Sequence, residues 1–116
     1  MNIERFRQLC LDLPGATEET PFGPDTLVFK VAGKIFAAAD LETFASVNLK
    51  CDPERAVELR ETHAGIIPGH HMNKKHWNTV LTDGSVKDTL IKELLEHSYA
   101  LVRASLPRKV QALLDA

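Results

Sequence analysis

Four of the chain's five histidines, His63, His70, His71 and His76, fall within residues 62–82, together with Lys74 and Lys75 and without a single Asp or Glu. Cations and imidazoles crowded into 21 residues attract anions, and the first chemistry they suggest is contact with phosphate. Lys74 and Lys75 can neutralise phosphates, Asn73 and Asn78 can donate to a phosphate or a base edge, and Trp77 can stack on an unpaired base. Protonation of His70, His71 and His76 at mildly acidic pH would strengthen such contact. Lys34 joins them as a candidate nucleic-acid-binding residue. The competing role is structural. Trp77, on a strand with Val80 and Leu81, can pack in the core with its indole N–H paired, while Asn78 and the histidines hydrogen-bond the segment into shape. We expect the core role for Trp77 and the ligand role for the lysines.

Other chemistries find less support. His70, His71 and His76 are candidate imidazole ligands for a metal, yet adjacent residues on an extended segment point apart, and the segment holds no carboxylate and no CxxC pair. Cys51 precedes a helix start, where a thiol is acidified, but a small buried residue at a strand end is the more common occupant of such a position. Cys10 lies on the apolar face of a helix, and Ser98 shares a face with Leu94, Leu95 and Leu101. Glu18 and Glu19 on a strand project to opposite faces and form no acid/base pair. The expectation is therefore no catalytic site, no metal and no cofactor.

These residues belong to a chain of 116, enough for one core and too short for two of ordinary size, so a single domain over residues 1–116 is expected. Its 44% hydrophobic and 26% charged residues are those of a globular protein. Residues 1–61 carry 7 basic and 11 acidic side chains, residues 83–116 carry 5 of each, and the net charge is −2, which argues against grip on nucleic acid through an overall field. No apolar run approaches the roughly 20 residues of a membrane span. Glu4 and Arg5 interrupt the amino terminus before any apolar core, unlike a signal peptide, so a cytoplasmic location is expected. Two cysteines make no disulfide framework.

Asn2 can cap a first helix with Ile3, Phe6, Leu9, Cys10 and Leu13 at helical spacing, stopped by Pro14-Gly15. Strand character follows at Ala16 to Thr20, Leu27 to Val31, Lys34 to Ala39 and Ala45 to Lys50, with Ala32-Gly33 turning a hairpin. In Ser46-Val47-Asn48-Leu49-Lys50 polar and apolar residues alternate, the pattern of a sheet with one wet face. Asp52-Pro53 starts a helix that runs to about Thr62. A long loop from Ala64 to His76 leads to a strand from Trp77 to Thr82. A long amphipathic helix begins near Val86, and after Pro107 a short closing helix carries Val110, Leu113 and Leu114. The class is α+β with two layers, an antiparallel sheet covered on one face by the N- and C-terminal helices.

Residues 65–81, GIIPGHHMNKKHWNTVL, resemble the signature of the MmcQ/YjbR family of small bacterial proteins. Pro21-Phe22-Gly23 with Asp25, the hairpin Val28 to Val31 with Gly33 to Ala37, the Leu49-Lys50-Cys51 junction into Pro53-Glu54, and Ser98-Tyr99 extend the resemblance over essentially the whole chain. It implies a CyaY-like fold, that of the bacterial frataxin homologue, and the family's members are described as DNA-binding through a double-wing motif. Frataxin-like iron handling is not carried over, because the first helix sets only Glu4 and Asp12 against Arg5 and Arg7. The expectation is a monomer that contacts DNA weakly and salt-dependently through the 69–78 loop and the exposed sheet face, with no membrane role. The alternative is a protein-interaction or small-anion-binding module.

Overall fold

Asn2 accepts a hydrogen bond from the Arg5 amide (2.8 Å) and opens α1, Ile3–Leu11, whose Phe6 and Cys10 turn inward. The computed structural model describes residues 1–115. Four strands follow, β1 (Ala16–Glu19), β2 (Thr26–Val31), β3 (Lys34–Asp40) and β4 (Ser46–Lys50). Asp52 caps α2 (Pro53–Thr62) by accepting from the Arg55 amide, with Pro53 in the first turn, where a missing N–H costs nothing. Next come β5 (Ile66–Pro68), β6 (Trp77–Leu81), α3 (Asp88–Ala104) and α4 (Arg108–Leu114). No helix among the described residues is long and apolar enough to cross a membrane.

All strand pairs are antiparallel, in the order β1-β2-β3-β4-β6-β5. The expected class holds, with two corrections. The segment expected to be loop from Ala64 to His76 contains β5, which pairs Ile66 with Val80 and Pro68 with Asn78 at the sheet edge. Three residues are too short to show a period, and Pro is tolerated there because an edge strand need not donate outward. The helical layer also includes α2, which packs against β5 and β6, beside α1 on β1 and α3 across β2, β3 and β4.

Alternation divides the sheet. Leu27, Phe29, Val31, Ala37, Ala39, Val47, Leu49, Ile66 and Val80 face the helices and form one core with Phe6, Ile91, Leu95, Tyr99 and Val102. Phe6, Phe29, Phe36 and Tyr99 follow one another through it, the outer pairs edge-to-face and the middle pair tilted, with centroid separations of 5.9, 6.5 and 5.4 Å. The other face carries Val28, Ala38, Asn48, Thr79 and Ile67 in one transverse row, and among the described residues no helix covers it.

Ser98 closes a gap that the sheet itself leaves. A register shift between Phe29 and Lys30 frees the Phe36 carbonyl, and the β3–β4 pairing ends at Ala37 opposite Leu49. The fully buried Ser98 hydroxyl donates to the Phe36 carbonyl (2.5 Å) and accepts from the Lys50 amide (2.9 Å), so it bridges the two strands where they part. Ser98→Ala leaves both backbone groups without partners. It is expected to cost about 2–4 kcal/mol in urea unfolding at unchanged m-value.

The β2–β3 hairpin turns on Ala32 (φ 48°) and Gly33 (φ 81°), a two-residue turn with both residues left-handed. Glycine takes this conformation freely and alanine does not. Ala32→Asn, whose short polar side chain suits the position, is expected to stabilise the domain by roughly 1 kcal/mol, read as a higher urea midpoint.

Candidate functional site

The histidine-rich segment is a tightly tethered crossing between β5 and β6. The Gly69 amide donates to the Trp77 carbonyl (3.0 Å), and a Cβ on Gly69 would stand 2.8 Å from both the Trp77 carbonyl oxygen and its Cβ, so only glycine fits. The Asn73 carbonyl accepts from the amides of His76 (3.2 Å) and Trp77 (3.0 Å), while its side chain accepts from the Lys75 amide (2.9 Å). The Lys74 ammonium donates to the Gly69 carbonyl (2.9 Å). From α2, Arg60 donates to Asn78 Oδ1 (2.8 Å) and reaches the Lys74 carbonyl (3.5 Å), and Asn78 Nδ2 donates to the Ala56 carbonyl (3.3 Å).

Several of the expected ligand residues carry structural bonds, and one is withdrawn from the surface. Asn78 is only 2% exposed, on the helix side of the sheet, and cannot meet a base or a phosphate. Asn73 and the Lys74 ammonium hold the loop. Lys75 is exposed and has no ion-pair partner among the described residues, but it lines a shallow depression with Glu54, Glu58 and Arg60 of α2. The stretch that is acid-free along the chain is thus not acid-free in space. Lys34 lies at the hairpin tip, with its ammonium 3.3 Å from Ser105 Oγ at the end of α3. Trp77 is half-buried on the uncovered face, opposite Lys50, and lies outside the helix-side core. Its indole N–H finds no acceptor among the described residues, so the expected core role is corrected: the strand period turns its ring away from the helices.

A ring of hydrogen bonds presses the start of the loop onto the uncovered face. The His70 amide donates to Thr79 Oγ1 (2.8 Å), the Thr79 hydroxyl donates to Asn48 Oδ1 (2.5 Å), and Asn48 Nδ2 donates back to the His70 carbonyl (3.0 Å). Asn48 and Thr79 are directly opposite on β4 and β6. His71 then takes a left-handed backbone (φ 59°), which brings its ring to 3.9 Å from that of His70. Adjacent histidines point apart on an extended segment, and the bend at His71 is what lets these two rings meet. Even so, among the described residues no three His, Cys, Asp or Glu side chains are grouped to hold a metal ion.

Between this loop and the β1–β2 connection lies a groove of about 440 Å³. Its floor is Ala38, Ala39, Ser46 and Asn48. One wall is His70, His71 and Met72, and the other side carries Phe22, Thr26 and Asp40. Phe22 is 71% exposed. Asp40 accepts from the Glu42 amide (2.9 Å) and the Thr43 hydroxyl (2.6 Å), and these bonds, the hydroxyl's first, hold its carboxyl below the usual carboxylate range. The imidazoles of His70 and His71 and the hydroxyls of Thr26 and Ser46 have no hydrogen-bond partner among the described residues, which leaves them open to a ligand.

Phe22, Asp40, Ser46 and Asn48 were not expected as site residues. The alternation at 46–50 pointed to a wet face, but nothing in the sequence shows that two distant loops wall it. Cys51 is 4% exposed and Cys10 fully buried, and burial pushes both thiols up, away from the reactive thiolate. The strand-to-helix step after Cys51 is tied instead by His97, whose Nε2 accepts from the Asp52 amide (3.2 Å). Burial, seconded by Arg55, lowers the His97 pKa and favours the neutral ring this bond requires.

The same arrangement of strands and helices occurs in a crystal structure of a Deinococcus radiodurans protein, with a TM-score of 0.93 and 40% identity over 98% of this chain and 88% of that one. A Pseudomonas syringae protein matches at a TM-score of 0.75 and 30% identity, covering 88% of this chain and 99% of its own. Escherichia coli strain K12 YjbR is 36% identical over 115 residues, 98% of each chain. Escherichia coli O157:H7 YbdF is 37% identical over 109 residues, 93% of this chain and 89% of its own. The YjbR family model spans residues 11–101, which takes in the hairpin, the tethered loop and most of α3, and by that match and these relatives the chain belongs to the YjbR family.

Proposed function

We propose that the chain is a non-catalytic binding module whose working surface is the groove on the uncovered sheet face, and that its ligand is a small, partly apolar molecule. The observation that carries this reading is a preformed depression of about 440 Å³, within the range of roughly 300–1,000 Å³ typical of ligand sites. One wall is held to the floor by the Asn48–Thr79–His70 ring, so little ordering entropy opposes occupancy. Apolar lining with a few free polar groups is the composition such sites share.

A second reading, weak contact with nucleic acid, has one observation in its favour. Trp77 leaves part of its ring exposed on the uncovered face opposite Lys50, with Lys75 two residues away in the chain. Against it, the Lys74 ammonium is engaged by Gly69, and Glu54 and Glu58 flank Lys75.

The two readings separate in amide NMR titrations at about 0.15 M salt. Indole is expected to bind at roughly millimolar Kd, an ordinary affinity for a fragment of its size, and to shift Ala38, Ser46, Asn48 and Met72. A 12-nucleotide single strand and its duplex are expected to shift nothing. The proposal fails if indole leaves the groove unmoved. The nucleic-acid reading replaces it if the oligonucleotides shift Lys74 to Trp77 with a log–log salt slope near −2 that Lys74→Ala with Lys75→Ala flattens.

A further inference from the structure

We infer that the groove selects a small organic cation, a positively charged nitrogen head on a flat apolar body, over a neutral or anionic molecule of the same shape. The inference rests on the groove being the working surface and assigns the chemistry of its ligand.

Charge is the first ground. Asp40 is the only Asp, Glu, Lys or Arg among the residues that line the groove, and its turn bonds, the Thr43 hydroxyl's first, further favour its charged form. Each of those bonds uses one lone pair of one carboxylate oxygen, so acceptor capacity remains for an N–H donor. An anion would meet this carboxylate with no lining cation to offset it.

The walls are the second ground. Phe22 offers an exposed phenyl ring, and His70 and His71 offer two rings in contact, tilted 50° to one another, whose nitrogens have no partner among the described residues. Aromatic faces carry negative quadrupoles that attract cations, and the Met72 thioether is a soft, polarisable neighbour. Shape is the third. Ala38 presents only a methyl group to the floor and leaves it low between taller flanks, which suits a flat body.

Benzamidinium, benzamide and benzoate form an isosteric series, charged plus one, zero and minus one. Titrated separately at pH 7 and followed by NMR, benzamidinium is expected to bind on the order of tenfold more tightly than benzamide, with benzoate weakest, and all shifts confined to the groove. Asp40→Asn should erase the cation's advantage over benzamide. Phe22→Leu, at an exposed position where folding is undisturbed, should reduce that advantage by about threefold while benzamide changes little. Benzoate binding as tightly as benzamidinium, or a cation preference that survives Asp40→Asn, overturns the inference. If indole binds in the groove while the series shows no order, the groove remains the working surface and only the ligand class is wrong.

Discussion

One polar ring decides what the uncovered face of the sheet becomes. Thr79 is only 3% exposed, and its hydroxyl would cost about 1–3 kcal/mol if buried unpaired. Asn48, directly across on β4, and the backbone of His70 satisfy it, and in doing so they pin the loop that carries His70 to the sheet. Everything on that side follows from the pinning. With His70 fixed, the left-handed step at His71 folds the second ring against the first, and Met72 falls beside them as the groove's wall. Without the ring, the segment would keep its tethers from Gly69, Asn73 and Lys74 but lose the bonds that hold its His70 end to the sheet face.

The same economy explains why charge along the chain misled about charge in space. Lys74 and Lys75 stand out in a stretch with no acids, but in space one tethers its own loop and the other lines a shallow depression with Glu54 and Glu58. Arg60 enters the same region from α2 and turns its guanidinium to Asn78 and the Lys74 carbonyl. Such contacts between elements far apart in sequence decide local potential, and composition windows do not contain them.

Legibility in the sequence tracked the range of the interactions involved. The Asn2 and Asp52 caps, the Ala32-Gly33 turn and the long amphipathic helix are local devices, and all were readable. So was the wet sheet face, from the alternation at Ser46 to Lys50. What escaped reading depends on register. Trp77 and Asn78 are neighbours on β6, yet the pleat sends Trp77 to the uncovered face and Asn78 to the helices, and only the pairing with Lys50 and Leu49 tells which is which. β5 escaped because three residues show no period, and the groove because its walls, Phe22 and His70, are brought together by the order of the strands.

The pleat also separates two jobs within single strands. On β3, Ala37 and Ala39 belong to the helix-side core while Ala38 and Asp40 turn to the groove, and on β4 Val47 and Leu49 alternate in the same way with Ser46 and Asn48. Stability rests on the first set, through the edge-to-face aromatics and the Ser98 bridge. The groove's ligand-facing groups, Phe22, Thr26, Ser46 and the two imidazoles, lie outside that core and make no hydrogen bond to it among the described residues. Substitutions at those positions therefore act on binding with small effect on folding, since surface changes away from buried networks stay near ±0.5 kcal/mol. Asn48 and Thr79 are the exception. They face the groove's side of the sheet yet hold its wall, and Asp40, which faces the groove while tying its own turn, joins stability to site geometry in the same way.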